Sequence, residues 1–197
     1  MRKLAFAVVG LFVALSGVHS EEKSETIIGL SLNLSNLNIS GPLGPDGNNL
    51  VACTVGATYA YIPLETGFSV SASLSLPIYQ ILDGVVVSGS GLTSTTFLGY
   101  GKSFVYTAPA NKTFRNMVHL AAGVHLNIHS LFAQNFVMSV YSLGPATTFY
   151  VGQAADRFRI GFTFWYDPIA WYVTSVDESS SSAKLNIGGM ATFGLKL

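Results

Sequence analysis

Phe68-Ser69-Val70-Ser71-Ala72-Ser73-Leu74-Ser75-Leu76-Pro77-Ile78 places apolar side chains on the even positions and serine at 69, 71, 73 and 75. Successive side chains of a strand point to opposite faces, so the stretch reads as one β-strand with an apolar face and a small polar face. A soluble sandwich would cover its polar face with Lys and Glu. Hydroxyls alone suit a narrow, hydrated interior. A stretch of ~11 residues also matches a tilted strand crossing a bilayer core. The expectation is an all-β fold, an antiparallel transmembrane β-barrel with lipid outside and polar side chains within.

Composition agrees. The chain has 197 residues, 49% hydrophobic and 10% charged, against ~25% charged in ordinary soluble domains. At the N-terminus, Arg2 and Lys3 precede the apolar run Leu4 to Leu15, and Val18-His19-Ser20 offers a signal-peptidase site. Residues 1–20 therefore read as a cleaved secretory signal, too short for a spanning helix, and 21–197 as the barrel. Without Arg2 and Lys3, eight basic residues face ten acidic ones, a balance that suggests no nucleic-acid partner. Cys53 is the sole cysteine and cannot close an internal disulfide.

Working outward, residues 21–25 read as a short polar lead. The first strand sets Ile28, Leu30, Leu32 and Leu34 opposite Gly29, Ser31, Asn33 and Ser35. Gly, Pro and Asn across 41–49 mark a long loop. The second strand turns Val51, Cys53, Val55, Ala57, Tyr59 and Tyr61 outward, with the two tyrosines in an aromatic girdle. A tight turn at 63–66 leads into the serine strand, and 79–91 reads as a second long loop. A fourth strand near Leu92 to Ser103 alternates poorly and is placed because a barrel needs a partner there. In the fifth, Val118, Leu120, Ala122, Val124, Leu126 and Ile128 alternate with His119, Ala121, Gly123, His125, Asn127 and His129. The segment 131–153 reads either as two strands joined at Gly144-Pro145 or as a β-rich loop feeding one. From Arg157 to Tyr166, Arg157 and Arg159 fall on the inner parity, and Asp167-Pro168 ends the strand. Trp171 and Tyr172 read as interface residues, and 167–184 as a third long loop.

The last strand carries Leu185, Ile187, Gly189, Ala191, Phe193, Leu195 and Leu197 on one face up to the final residue. Here the chain resembles the small bacterial outer-membrane β-barrel proteins, the OmpA/OmpX/OmpW-like class. Their C-terminal strand alternates in this way up to a terminal aromatic that the barrel-assembly machinery recognises; Leu197 stands in its place. The resemblance implies a bacterial outer-membrane location, with the lipid bilayer and that machinery as partners. It also implies periplasmic termini and an even strand number. Length favours eight strands, with ten as the alternative if 131–143, 147–153 and 169–176 all pair separately. Eight strands enclose little more than their own side chains.

The lumen-facing polar candidates are His119, His125, Asn127, His129, Arg157 and Arg159. Six and four positions separate the histidines, ~20 and ~13 Å along a strand, so no single ion can bridge them and no metal is expected. A His-x-Ser pair of the kind used by outer-membrane lipid hydrolases is missing from His125-Leu126-Asn127 and His129-Ser130-Leu131. Asp46, Glu65, Asp83, Asp156, Asp167, Asp177 and Glu178 read as turn or strand-end acids, which leaves no lumen carboxylate for acid–base work or for neutralising the arginines. No cofactor motif is present. The function expected is non-enzymatic: contact with a host or environmental ligand through the loops at 41–49, 79–91 and 167–184. A narrow pore for small or apolar solutes is the alternative, and a lipid-modifying enzyme a more remote one.

Overall fold

The computed structural model describes residues 23–41, 44–82, 84–86, 90–107, 115–133, 136–153, 156–174, 182–183 and 185–197. Residues 1–20, read above as a secretory signal, lie outside them. The strands are β1 (Ser24–Gly41), β2 (Gly44–Pro63), β3 (Thr66–Leu82), β4 (Val85–Val86), β5 (Ser90–Thr107), β6 (Arg115–Ala133), β7 (Phe136–Gln153), β8 (Phe158–Asp167), β9 (Ile169–Thr174), β10 (Ser182–Ala183) and β11 (Leu185–Lys196). Neighbours pair antiparallel, and the ring closes because β11 pairs with both β1 and β8 while β8 returns to β7. β8 and β9 form one stave, as do β10 and β11, and β4 is a short hairpin on β3. The barrel therefore has eight staves, not ten.

Its stagger follows from the registers. From Leu30 the line of partners runs through Phe193, Ile160, Val151 and Val118 to Phe104. Taken the other way it runs through Ala57 and Leu74 to Ser94. Both ends lie on β5, ten residues apart, and a stagger of this kind is what tilts the staves of a closed barrel by ~35–45°.

The alternation of the serine strand is realised: Ser69, Ser71, Ser73 and Ser75 are buried, whereas Phe68, Leu74, Leu76 and Ile78 are exposed. Ile28, Leu30, Leu32 and Leu34 are exposed on β1, and Val124, Phe164, Phe193 and Leu195 continue the apolar exterior round the barrel. This much apolar surface has no place in water and fits the hydrocarbon of a bilayer. Tyr59 departs from the expected girdle, because it is only 4% exposed.

Several boundaries differ from those expected. β1 and β2 stay paired beyond Asn38 opposite Asn49 to Gly41 opposite Gly44, with a register shift between Ile39 and Gly41, so strand occupies most of the expected loop. The ladder simply continues past the apolar band, with Asn36, Asn38 and Asn49 facing outward. β3 likewise runs on to Leu82 through a bulge, where Cys53 faces Tyr79 and Thr54 faces Pro77. The skipped Ile78 reverses the inward parity from Ser75 to Gln80. β7 passes straight through Gly144-Pro145, because Pro145 stands where pairing changes over from β9 to β8 and no ladder N–H is needed. Pro168 interrupts the facing stave for the same reason. The segment 169–174 then extends that stave rather than forming a loop.

Candidate functional site in the barrel lumen

Along β6 the inward parity delivers all three histidines to the interior, with His119 and His125 at 0% exposure. His119 sits between Ser69 Oγ, 2.6 Å from Nε2, and Ser103 Oγ, 2.9 Å from Nδ1. His129 lies 2.7 Å from Thr93 Oγ1 and 3.1 Å from Gln80 Nε2. Asn127 is buried and accepts a hydrogen bond from Thr95 at 3.4 Å. These are strand-spaced, separately satisfied groups.

The central layer is richer, and one of its members was not expected. Asp167 does not end a strand in solvent; it is fully buried in the lumen. His125 Nδ1 lies 3.1 Å from each of its carboxylate oxygens. Ser142 donates to Asp167 Oδ2 at 2.6 Å, and Asn186 Nδ2 donates to Asp167 Oδ2 at 2.9 Å and to Ser142 Oγ at 2.7 Å. The Trp165 ring stacks on His125 at 4.4 Å and 13°. Gly144 makes the contact across β7 possible: it pairs with His125, and a Cβ there would lie 2.1 Å from Tyr166 O and 2.5 Å from Asp167 Cα. Only glycine permits that approach.

A second buried acid lies at the end of the barrel where β1 begins and β11 stops. Glu25, read as part of a polar lead, is 2% exposed and receives Arg159 Nε and Nη2 at 2.7 Å each. Lys196 joins it at 3.0 Å. Arg159 Nη1 reaches the carbonyls of Gln153, Asp156 and Phe158. Arg159 is thus buried and neutralised inside, whereas Arg157 is exposed at the rim and not in the lumen.

Apolar plugs alternate with these polar layers. Leu37, Leu50, Met138, Val140 and Ala170 close one end. Phe97, Ala121, Ala146, Trp165 and Met190 fill the middle. Ile27, Ala60, Ile62 and Tyr150 lie toward the terminal end.

Chemically, His125 and Asp167 have the orientation of a base and its supporting carboxylate. However, Ser142 gives its proton to Asp167 rather than standing on the free His125 Nε2, which is the arrangement a serine nucleophile requires. Among the described residues no group of three or more His, Cys, Asp or Glu could hold a metal ion.

No family model matches the chain, and no curated protein matches it in sequence. Among solved structures it is similar to Neisserial surface protein A, with 11% identity, a TM-score of 0.53, and coverage of 88% of this chain and 96% of that one. The attachment invasion locus protein Ail of Yersinia pestis, solved in complex with the heparin analogue sucrose octasulfate, gives 12% identity and a TM-score of 0.42 over 89% of this chain and 99% of that one. In fold, the chain is a small eight-stranded β-barrel of the bacterial outer-membrane type.

Proposed function

We propose that this chain is an outer-membrane surface protein whose barrel is a non-enzymatic scaffold and whose function lies in the connections at the end remote from the termini. The observation that carries this reading is the filled lumen: three apolar plugs and two polar networks that use most of their own hydrogen-bonding capacity. Such an interior supplies rigidity and speaks against the pore reading. With periplasmic termini, the segments outside the cell are those around 42–43, 83–89, 134–135 and 175–184. Binding residues on rigid scaffolds concentrate in connections of this kind. On this reading residues 1–20 are removed on export, and β11 is what the barrel-assembly machinery engages.

Replacing 83–89 and 175–181 by short turns, singly and together, tests the assignment on intact bacteria. Adhesion to host cells or matrix should fall while the barrel still reaches the surface. Unchanged adhesion with both segments gone would refute it, and stable single-channel conductance of the folded protein would restore the pore. The mass of the purified protein reports on cleavage after Ser20.

A further inference from the structure

At the end of the barrel remote from Glu25 and Lys196 the outer wall changes character in steps. Across β6, β7 and β9 the row Leu126, Leu143 and Ile169 is followed by Ile128, Tyr141 and Trp171, and then by Ser130, Ser139 and Val173, each row fixed by the pairing registers. All of these residues lie on the outward parity and none is buried. On β7 the outward series starts at Val151, which pairs with Val118 and Ile160 near the Glu25 end, and reaches Tyr141 ten positions away. Ten positions are ~33 Å along a strand and ~25 Å along the axis of a barrel whose staves tilt by ~35–45°. That is the height of the apolar band of an outer-membrane barrel. Tyr141 and Trp171 therefore stand at the level of the headgroups, with Ser130 and Ser139 just beyond.

The two rings stack, 5.4 Å between centres and 9° between planes. Ser130 Oγ and Ser139 Oγ share one hydrogen bond of 2.9 Å. That bond uses one of the pair's two hydroxyl protons, so the other and several lone pairs are left for a partner. Charge is missing from this face. Neither 126–143 nor 169–174 contains Asp, Glu, Lys or Arg, and His129 is buried on the lumen side.

We infer that this face binds the uncharged sugar headgroup of a glycolipid in the leaflet at that end. A pyranose ring offers C–H groups on its flat side and hydroxyls round its edge. The first fit the open flank of an aromatic pair, and the second fit serine hydroxyls. Acyl chains hanging from such a headgroup meet Leu126, Leu143 and Ile169 without a break in the wall. An anionic headgroup is drawn to lysine and arginine and finds neither here. A lipid occupant is favoured over a protein because the patch is continuous with the lipid-facing wall. The inference rests on the membrane reading above and adds a lipid class to it.

The test is native mass spectrometry of the full barrel released from detergent micelles that hold equal amounts of monogalactosyldiacylglycerol and phosphatidylglycerol with the same acyl chains. The galactolipid should be retained ~2–10-fold over phosphatidylglycerol, the range that an aromatic contact carries. Tyr141→Ala with Trp171→Ala should remove that preference, and Ser130→Ala with Ser139→Ala should reduce it. Val118→Ala with Val151→Ala, at the other end of the wall, should leave it unchanged. Heat-modifiable gel migration reports that each variant is folded, and the serine pair carries the comparison if the aromatic double variant is not. Equal retention of the two lipids, retention of neither, a preference for phosphatidylglycerol, or a galactolipid preference that survives in every folded variant would overturn the inference. A barrel that stays monomeric in water without detergent would instead overturn the membrane reading on which it rests.

Discussion

Removing the Glu25 carboxylate by Glu25→Ala strands the largest buried cation of the barrel. Arg159 is 0% exposed and loses both charge-assisted bonds of 2.7 Å, keeping only its Nη1 contacts to three carbonyls at 2.8–3.0 Å. Breaking a buried pair by deleting one partner costs ~3–5 kcal/mol, because a desolvated charge is left uncompensated. Lys196 is a different case. Its side chain is 34% exposed, so Lys196→Gln should cost less than ~1 kcal/mol. The double variant Glu25→Ala with Arg159→Met removes the stranded charge and fills the space with apolar atoms, and it should recover most of the loss. Urea unfolding in detergent micelles, followed by tryptophan fluorescence, gives all three values, with heat-modifiable gel migration as an independent report of the folded barrel. A Glu25→Ala protein within ~0.5 kcal/mol of the parent, or a double variant no more stable than the single one, would refute the view that the pair is a buried clamp.

Asp167→Ala should cost about 3 kcal/mol or more, since His125, Ser142 and Asn186 all lose an acceptor in the lumen and each orphaned buried group costs ~1–3; Asp167→Asn, which keeps one oxygen, should cost less in the same titration. Gly144→Ala forces a methyl against the Tyr166 carbonyl and should lose at least ~1–3 kcal/mol. Gly189→Ala meets the Phe164 ring at 3.3 Å and the Thr163 carbonyl oxygen at an ordinary contact distance of 3.5 Å, and should fall within about 0.5 kcal/mol of the parent. Cysteines introduced one at a time in a Cys53→Ala background should split by parity, Leu74→Cys reacting with a bilayer-dissolved maleimide and Ser73→Cys staying inert; equal reactivity would contradict the inside–outside assignment.

Strict alternation carried most of the fold, because a closed barrel with unlike media on its two sides sorts side chains by parity alone. That is why His119, His125 and His129 could be placed inside from β6 by itself. The same rule held information left unused: Asp167 continues the inward series of Arg159, Gly161, Thr163 and Trp165, and Glu25 continues that of Ile27, Gly29 and Ser31. Turn chemistry masked both, through the proline after Asp167 and the polar run around Glu25. Their partners were not legible in any case. Glu25 and Arg159 are 134 positions apart and meet only because β11 lies between their staves. The fourth stave looked irregular for a physical reason as well, since Phe97 points into the lumen as a plug while Ser94 and Thr96 face outward.

Plugs and networks together bear on where function can reside. A path through the lumen would have to move Trp165 off His125, separate Arg159 from Glu25, and part the Leu37, Leu50, Met138, Val140 and Ala170 cluster. The first two motions each expose or orphan buried polar groups at a cost of several kcal/mol, and the third opens an apolar constriction that water does not readily wet. These barriers lie in series along one narrow axis, so a solute must pay for all of them before it leaves. Displacing a connection at the rim remote from Glu25 and Arg159 breaks neither the Trp165–His125 stack nor the Arg159–Glu25 pair. Recognition at the ends of the barrel is therefore the inexpensive use of this architecture, and transport through it the expensive one.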